Sequence, residues 1–177
     1  MRINRTRRMP VAIVAAMLTL GIAGPAAAAP TTATVTVTGG ALSISVPASA
    51  GSLGSIANTV AGGVISGPLG PVQVNDARSA AAGSGWVASV ISTAFTPTTG
   101  ATIGAAAVGY VAGPITKVGT ATFTANDPPD LTGAVAAVTA TGITGDNSAT
   151  WNPTINVAVA GGKAAGTYSG TITHSVA

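Results

Sequence analysis

The 177-residue chain has no cysteine and no glutamate, one histidine, and very few aromatic or charged side chains. Without cysteine it forms no disulfide and no thiolate metal site, so packing and hydrogen bonding alone must hold the fold. With His174 as the sole imidazole, a zinc centre built from three or four His, Cys or carboxylate ligands has too few residues to draw on. A catalytic triad has only His174 as its base, and no Gly-x-Ser-x-Gly elbow accompanies it. No Gly-x-x-x-x-Gly-Lys-Ser/Thr loop and no dinucleotide fingerprint follows a strand pattern. The expectation is a non-enzymatic protein without a cofactor, in which His174 is a sheet residue with its polar tip near solvent or hydrogen-bonded.

The few charges are unevenly placed. Arg2, Arg5, Arg7 and Arg8 form a basic head, an apolar run follows from Val11 to Ala23, and the small residues Ala26 to Ala29 lie between Pro25 and Pro30. That layout predicts a secretory signal peptide over residues 1–28, cleaved after Ala28. Met9-Pro10 follows Arg7-Arg8 where a twin-arginine signal has apolar bulk, which favours the general secretory route. Beyond it, Arg78, Lys117 and Lys163 face Asp76, Asp127, Asp130 and Asp146, so the basic isoelectric point belongs to the signal. Three scattered cations cannot neutralise a row of phosphates, which argues against nucleic acid and anionic membrane as partners. Mean hydropathy is positive, yet Gly, Ser, Thr or Pro breaks every apolar stretch after Pro30, so no membrane span is expected in the mature form. Thr171 to Ala177 carries no sortase-type signal, so covalent wall anchoring is not expected. Residues 29–177 suit a single domain.

What is abundant is β-branched and small residues in alternation. Thr31 to Thr38 and Ala41 to Val46 both have period two, with a Gly39-Gly40 hairpin signal between them. Gly51 to Gly70 reads as one strand with loops. Val72 to Asp76 predicts a strand, Ser79 to Gly85 a loop, and Trp86 to Phe95 a strand whose inward face carries Trp86, Ala88, Val90, Ser92 and Ala94. Further strands are predicted at Val108 to Ala112, Gly119 to Thr124, Ala134 to Thr141, Thr154 to Ala160 and Gly166 to Val176. Turns are predicted at Asn126 to Asp130 and Gly145 to Asn147, and a helical turn within Ala101 to Ala107. Many short strands at this spacing predict an all-β, antiparallel, Ig-like sandwich.

Two clusters invite a site reading. Asp127, Asp130 and Asp146 are weak calcium candidates, against the plainer reading that each caps a backbone turn. Asp76 and Arg78 are two apart in an extended segment and predict a pair that fixes the loop entering Trp86.

The run Val74-Asn75-Asp76-Ala77-Arg78, followed by Gly85-Trp86-Val87-Ala88-Ser89-Val90, resembles the V-x-D-x-R and G-W-x-L-x-V segment of the WxL domains of Gram-positive bacterial surfaces. Gly166 to Val176 is similar to that family's closing G-x-Y-x-x-x-L-x-W-x-L, and Trp151 to Val159 resembles the strand before it. Ala88 stands where the first Trp-x-Leu has leucine, and His174-Ser175-Val176 replaces the second, the pattern of a distant relative of actinobacterial type. The resemblance implies a secreted β-sandwich, associated non-covalently with the cell wall, with peptidoglycan or another wall glycan as ligand. It carries over Asp76, Arg78 and Trp86 as ligand-binding positions, although a large aromatic in a strand pattern makes Trp86 first a core anchor of the sandwich. The rival expectation is a self-assembling extracellular structural or adhesin subunit, or a partner to another surface protein, through charge-poor edge strands.

Overall fold

The structure is a computed structural model that describes residues 32–177, with a compact body over Val37–Ala177. The expected signal segment, residues 1–28, lies outside the described residues. Among the described residues ten strands follow in order: β1 (Leu42–Ser45), β2 (Gly63–Pro68), β3 (Val72–Ser92), β4 (Thr96–Pro97), β5 (Val108–Val111), β6 (Ile115–Ala125), β7 (Val135–Trp151), β8 (Thr154–Val159), β9 (Tyr168–Ser169) and β10 (Ile172–Val176). The expected helical turn is a short 3₁₀ segment, Ala105–Ala107. Among the described residues no helix is long and apolar enough to cross a membrane.

Every pairing is antiparallel. The larger sheet is built on β3, which pairs with β7 along one side, and β7 pairs in turn with β6. The other side of β3 is shared: β1 covers Gln73 to Asp76 and β10 covers Ala88 to Ser92. The second sheet runs β2-β8-β5, and β4 with β9 forms a small separate ribbon. The sheets pack as an all-β sandwich, as the alternation predicts. Val72, Val74, Trp86, Ala88 and Val90 of β3 and Val138, Ala140, Ala149 and Trp151 of β7 are buried, with Tyr110, Ile155 and Val157 from the second sheet. Each large apolar side chain so buried contributes about 1.5–3 kcal/mol, which the intervening Thr, Ser and Ala positions do not.

The inward face of β3 follows the expected phase through Trp86, Ala88, Val90 and Ser92, with Val87 and Ile91 facing outward. Phe95 departs from it. The strand ends at Ser92, and Phe95 exchanges backbone hydrogen bonds with Ile103 (2.8 and 2.9 Å), which turns its ring inward.

Four other expectations are corrected. Residues 32–38 form no strand, and Gly39-Gly40 is no hairpin turn: Gly40 donates its N–H to Ala77 O, so β1 takes β3 as its partner. A Cβ on Gly40 would lie 2.8 Å from that of Ala77, and this close approach is why glycine stands there. Alternation supplies a β-competent backbone, but a strand needs a neighbour to receive its hydrogen bonds. The expected loop Ser79 to Gly85 and turn Gly145 to Asn147 both lie inside strands. Between Asp76/Asn147 and Trp86/Ala140 the register of β3 on β7 shifts repeatedly, so turn-forming residues serve here as bulges in two long strands.

Candidate functional site

The bulged region of β3 holds a polar cluster. Asp76 is fully buried, cross-strand from Asn147. Arg78 Nε donates to Asp76 Oδ1 at 2.8 Å and its Nη2 to Oδ2 at 2.9 Å, a bidentate pair. The Arg78 backbone N–H adds a third bond to Oδ1 at 3.2 Å, and Nη2 also reaches Gly85 O at 3.2 Å. Asn147 Nδ2 donates to Asp76 Oδ2 at 3.1 Å, while its Oδ1 accepts the Trp86 indole N–H at 3.0 Å. The Arg78 hydrogen bonds hold the Asp76 carboxyl below its ordinary range, against the opposing effect of burial. Trp86 is 2% exposed and tilts against Phe123 with ring centroids 5.7 Å apart.

The three positions carried over by resemblance are thus brought together, with Asn147 as the fourth member that sequence reading missed. Of the three only Arg78 reaches solvent, its side chain 37% exposed. The arrangement ties the start of the bulge to its end, as expected of a pair fixing the approach to Trp86. Asp146 holds the bulge from β7: its Oδ1 accepts the Ser79 N–H at 2.9 Å, and Ser79 has φ 54°, a left-handed conformation uncommon for a non-glycine residue.

The calcium candidates do not converge. Asp127 Oδ1 accepts the Ala112 N–H at 2.9 Å, Asp130 Oδ1 accepts the Thr132 N–H at 3.2 Å, and Asp146 is engaged with Ser79. Each carboxylate fixes backbone, two of them across elements rather than within their own turn. Among the described residues no three His, Cys, Asp or Glu side chains form a set able to hold a metal ion.

A second polar chain crosses between the sheets. The Trp151 indole N–H donates to Tyr110 Oη at 2.7 Å, and Tyr110 Oη lies 3.1 Å from His174 Nε2, with the two rings tilted at 58°. Burial raises the Tyr110 phenol above its ordinary value, so it stays protonated, and burial lowers His174 to about 4, so its imidazole is neutral at pH 7. Sequence reading anticipated a hydrogen-bonded His174 but missed Tyr110. The signal was present: Val108, Tyr110 and Ala112 share the inward phase of one strand, and a buried tyrosine needs a partner for its hydroxyl.

His174 lines a groove of about 790 Å³ that opens along one flank of the sandwich. One wall is the segment Val46 to Thr59. The other includes Lys163 and the stretch from Ala164 to Ile172, and the floor is apolar, with Ile65, Leu69, Phe95 and Val157. The Val46–Thr59 wall presents Ser49, Ser52, Ser55, Asn58 and Thr59, and Tyr168 supplies an aromatic ring opposite. Tyr168 Oη donates to Ala164 O at 2.9 Å, and Lys163 Nζ donates to Thr102 O at 2.6 Å, which restrains both lining side chains. No carboxylate lines the groove, and neither do Asp76, Arg78 or Trp86.

Comparison with known proteins found no match to any family model, curated protein or solved structure.

Proposed function

We propose that the chain is an exported, non-catalytic β-sandwich of WxL-like type that associates non-covalently with cell-wall glycan. The observation that carries this reading is the groove: hydroxyl, amide and backbone groups, an aromatic ring and apolar side chains, without a carboxylate and with the Lys163 ammonium engaged by the Ala101 and Thr102 carbonyls. Neutral sugars present hydroxyls at their edges and apolar C–H faces between them, so a surface that alternates uncharged hydrogen-bonding groups with apolar side chains matches them better than a charged one does. The charge-poor exterior beyond the signal segment fits the same partner and disfavours polyanions. Commitment of Asp76, Asp127, Asp130 and Asp146 to structural hydrogen bonds supports the non-catalytic part, since general acid-base work needs a carboxylate free to meet substrate.

Co-sedimentation with purified sacculi tests the reading. The protein is expected in the pellet and released by denaturant without protease or muramidase. A protein that stays in the supernatant across a range of sacculus concentrations refutes wall association.

A further inference from the structure

The Trp151, Tyr110 and His174 chain has a direction. An indole nitrogen only donates, so Tyr110 Oη is its acceptor. Tyr110 is 1% exposed, and its own proton finds its partner in His174 Nε2. If Nε2 carried the proton instead, the phenol proton and His174 Nδ1 would both be left without partners. The economical arrangement therefore puts the imidazole proton on Nδ1, and Nδ1 is a buried atom with no hydrogen-bond partner in the protein. A polar chain that is satisfied at every link and ends on an unpaired donor beside a groove calls for an acceptor from outside.

We infer that His174 Nδ1–H is the recognition donor of the groove and that it takes the carbonyl oxygen of an N-acetyl group on an amino sugar. This rests on the glycan reading and names the part of the glycan that is read. The chemistry selects the group. The donor is uncharged at neutral pH, so it suits a neutral carbonyl rather than requiring an anion. The groove that His174 lines also carries Ile65, Phe95, Val157 and Ile172, apolar side chains that suit a methyl group. An acetamido substituent offers both in one small unit, whereas a sugar hydroxyl would bring a second proton into apolar surroundings.

Access is through the Val46–Thr59 wall. The described side-chain hydrogen bonds of this wall are local: Ser49 Oγ accepts from Gly51 N, Ser52 Oγ from Gly54 N, and Thr59 Oγ1 exchanges bonds with Gly62 at its end. Its hold on the second sheet is by close packing, Leu53 over Gly67 and Ile56 over Gly63. Held by this packing and without ladder hydrogen bonds of its own among the described residues, the segment opens at lower cost than the strands beneath it.

The single histidine makes the test clean, because every imidazole resonance belongs to His174. Nitrogen-detected spectra of the protein at neutral pH should show the Nδ1–H tautomer, and chitotetraose should shift the Nδ1 resonance, while cellotetraose, with hydroxyls in place of acetamido groups, should not. His174→Gln keeps an acceptor where Tyr110 donates and removes the Nδ1 donor. It should retain the fold and lose roughly tenfold or more in affinity for chitotetraose. His174→Asn, whose amide nitrogen falls near the Nδ1 position, should recover part of that loss. An Nε2–H tautomer in the wild-type protein overturns the inference whether or not the variants fold. So do equal responses to the two sugars, or undiminished binding by His174→Gln. In those cases sacculus binding by the wild-type protein would leave the glycan reading standing, while failure to bind sacculi removes that reading and this inference with it.

Discussion

Two hydrogen-bonded chains in this sandwich begin alike and end differently. In the bulged region of β3 the Trp86 indole N–H leads through Asn147 to Asp76 and stops at the Arg78 guanidinium, with each side-chain link closed. Between the sheets the Trp151 indole N–H leads through Tyr110 to His174 and stops at a nitrogen with no protein partner. The first ends in an ion pair whose Arg78 side chain reaches solvent, the second in a neutral donor beside a groove. Closed polar networks rigidify and specify a fold, whereas an open end inside a protein is a cost that persists when something outside repays it.

The sharpest way to break this contrast is Asp76→Ala. It strips Arg78 and Asn147 of their acceptor and leaves space in the larger sheet, so a loss of about 3–4 kcal/mol in unfolding free energy is expected, moderated because Arg78 can turn to water. Urea unfolding followed by tryptophan fluorescence measures it, and a loss under about 1 kcal/mol would show that the cluster does not hold the bulge. Tyr110→Phe attacks the other chain. It leaves the Trp151 N–H and His174 Nε2 without partners, for an expected loss of about 2 kcal/mol by the same measurement.

Acid separates the two regions by pH. His174 in the folded protein titrates near 4, below its ordinary 6.5, so between those values the unfolded chain takes a proton that the folded one refuses. Stability should therefore decline as pH falls from about 6.5 toward 4, by about 1–2 kcal/mol after allowing for partial exposure, and His174→Gln should abolish that slope. The Asp76 carboxyl lies below 3.8, so its contribution is whole above that value and is lost only at lower pH. Unfolding free energies measured from pH 7 to 3 in the wild-type protein and in His174→Gln would resolve the two windows.

The sandwich was legible in the sequence because period-two alternation of β-branched residues marks strands with one buried face. Val72 to Asp76, Val108 to Val111 and Thr154 to Val159 emerge as strands, and Trp86 to Ser92 emerges in the expected phase. What alternation cannot carry is partnership. Thr32 to Thr38 has the pattern without a neighbouring strand, and Gly145-Asp146-Asn147 has turn chemistry that two long strands absorb as bulges. Of the polar cluster, Asp76, Arg78 and Trp86 were readable because they lie close in sequence. Asn147 and Tyr110 come from distant elements and join their partners only through register. The groove wall Val46–Thr59 left no periodic signal, since its glycine- and serine-rich residues make no ladder.

The division of one side of β3 between β1 and β10 has a consequence for when the molecule can exist. Val87 and Ala177 exchange backbone hydrogen bonds in both directions (2.9 and 3.1 Å), so the flank of an early strand is completed by residues made much later. Such non-local pairing delays the folding barrier until the late segment is present, and a chain in which β10 has not yet been made keeps that edge of β3 bare.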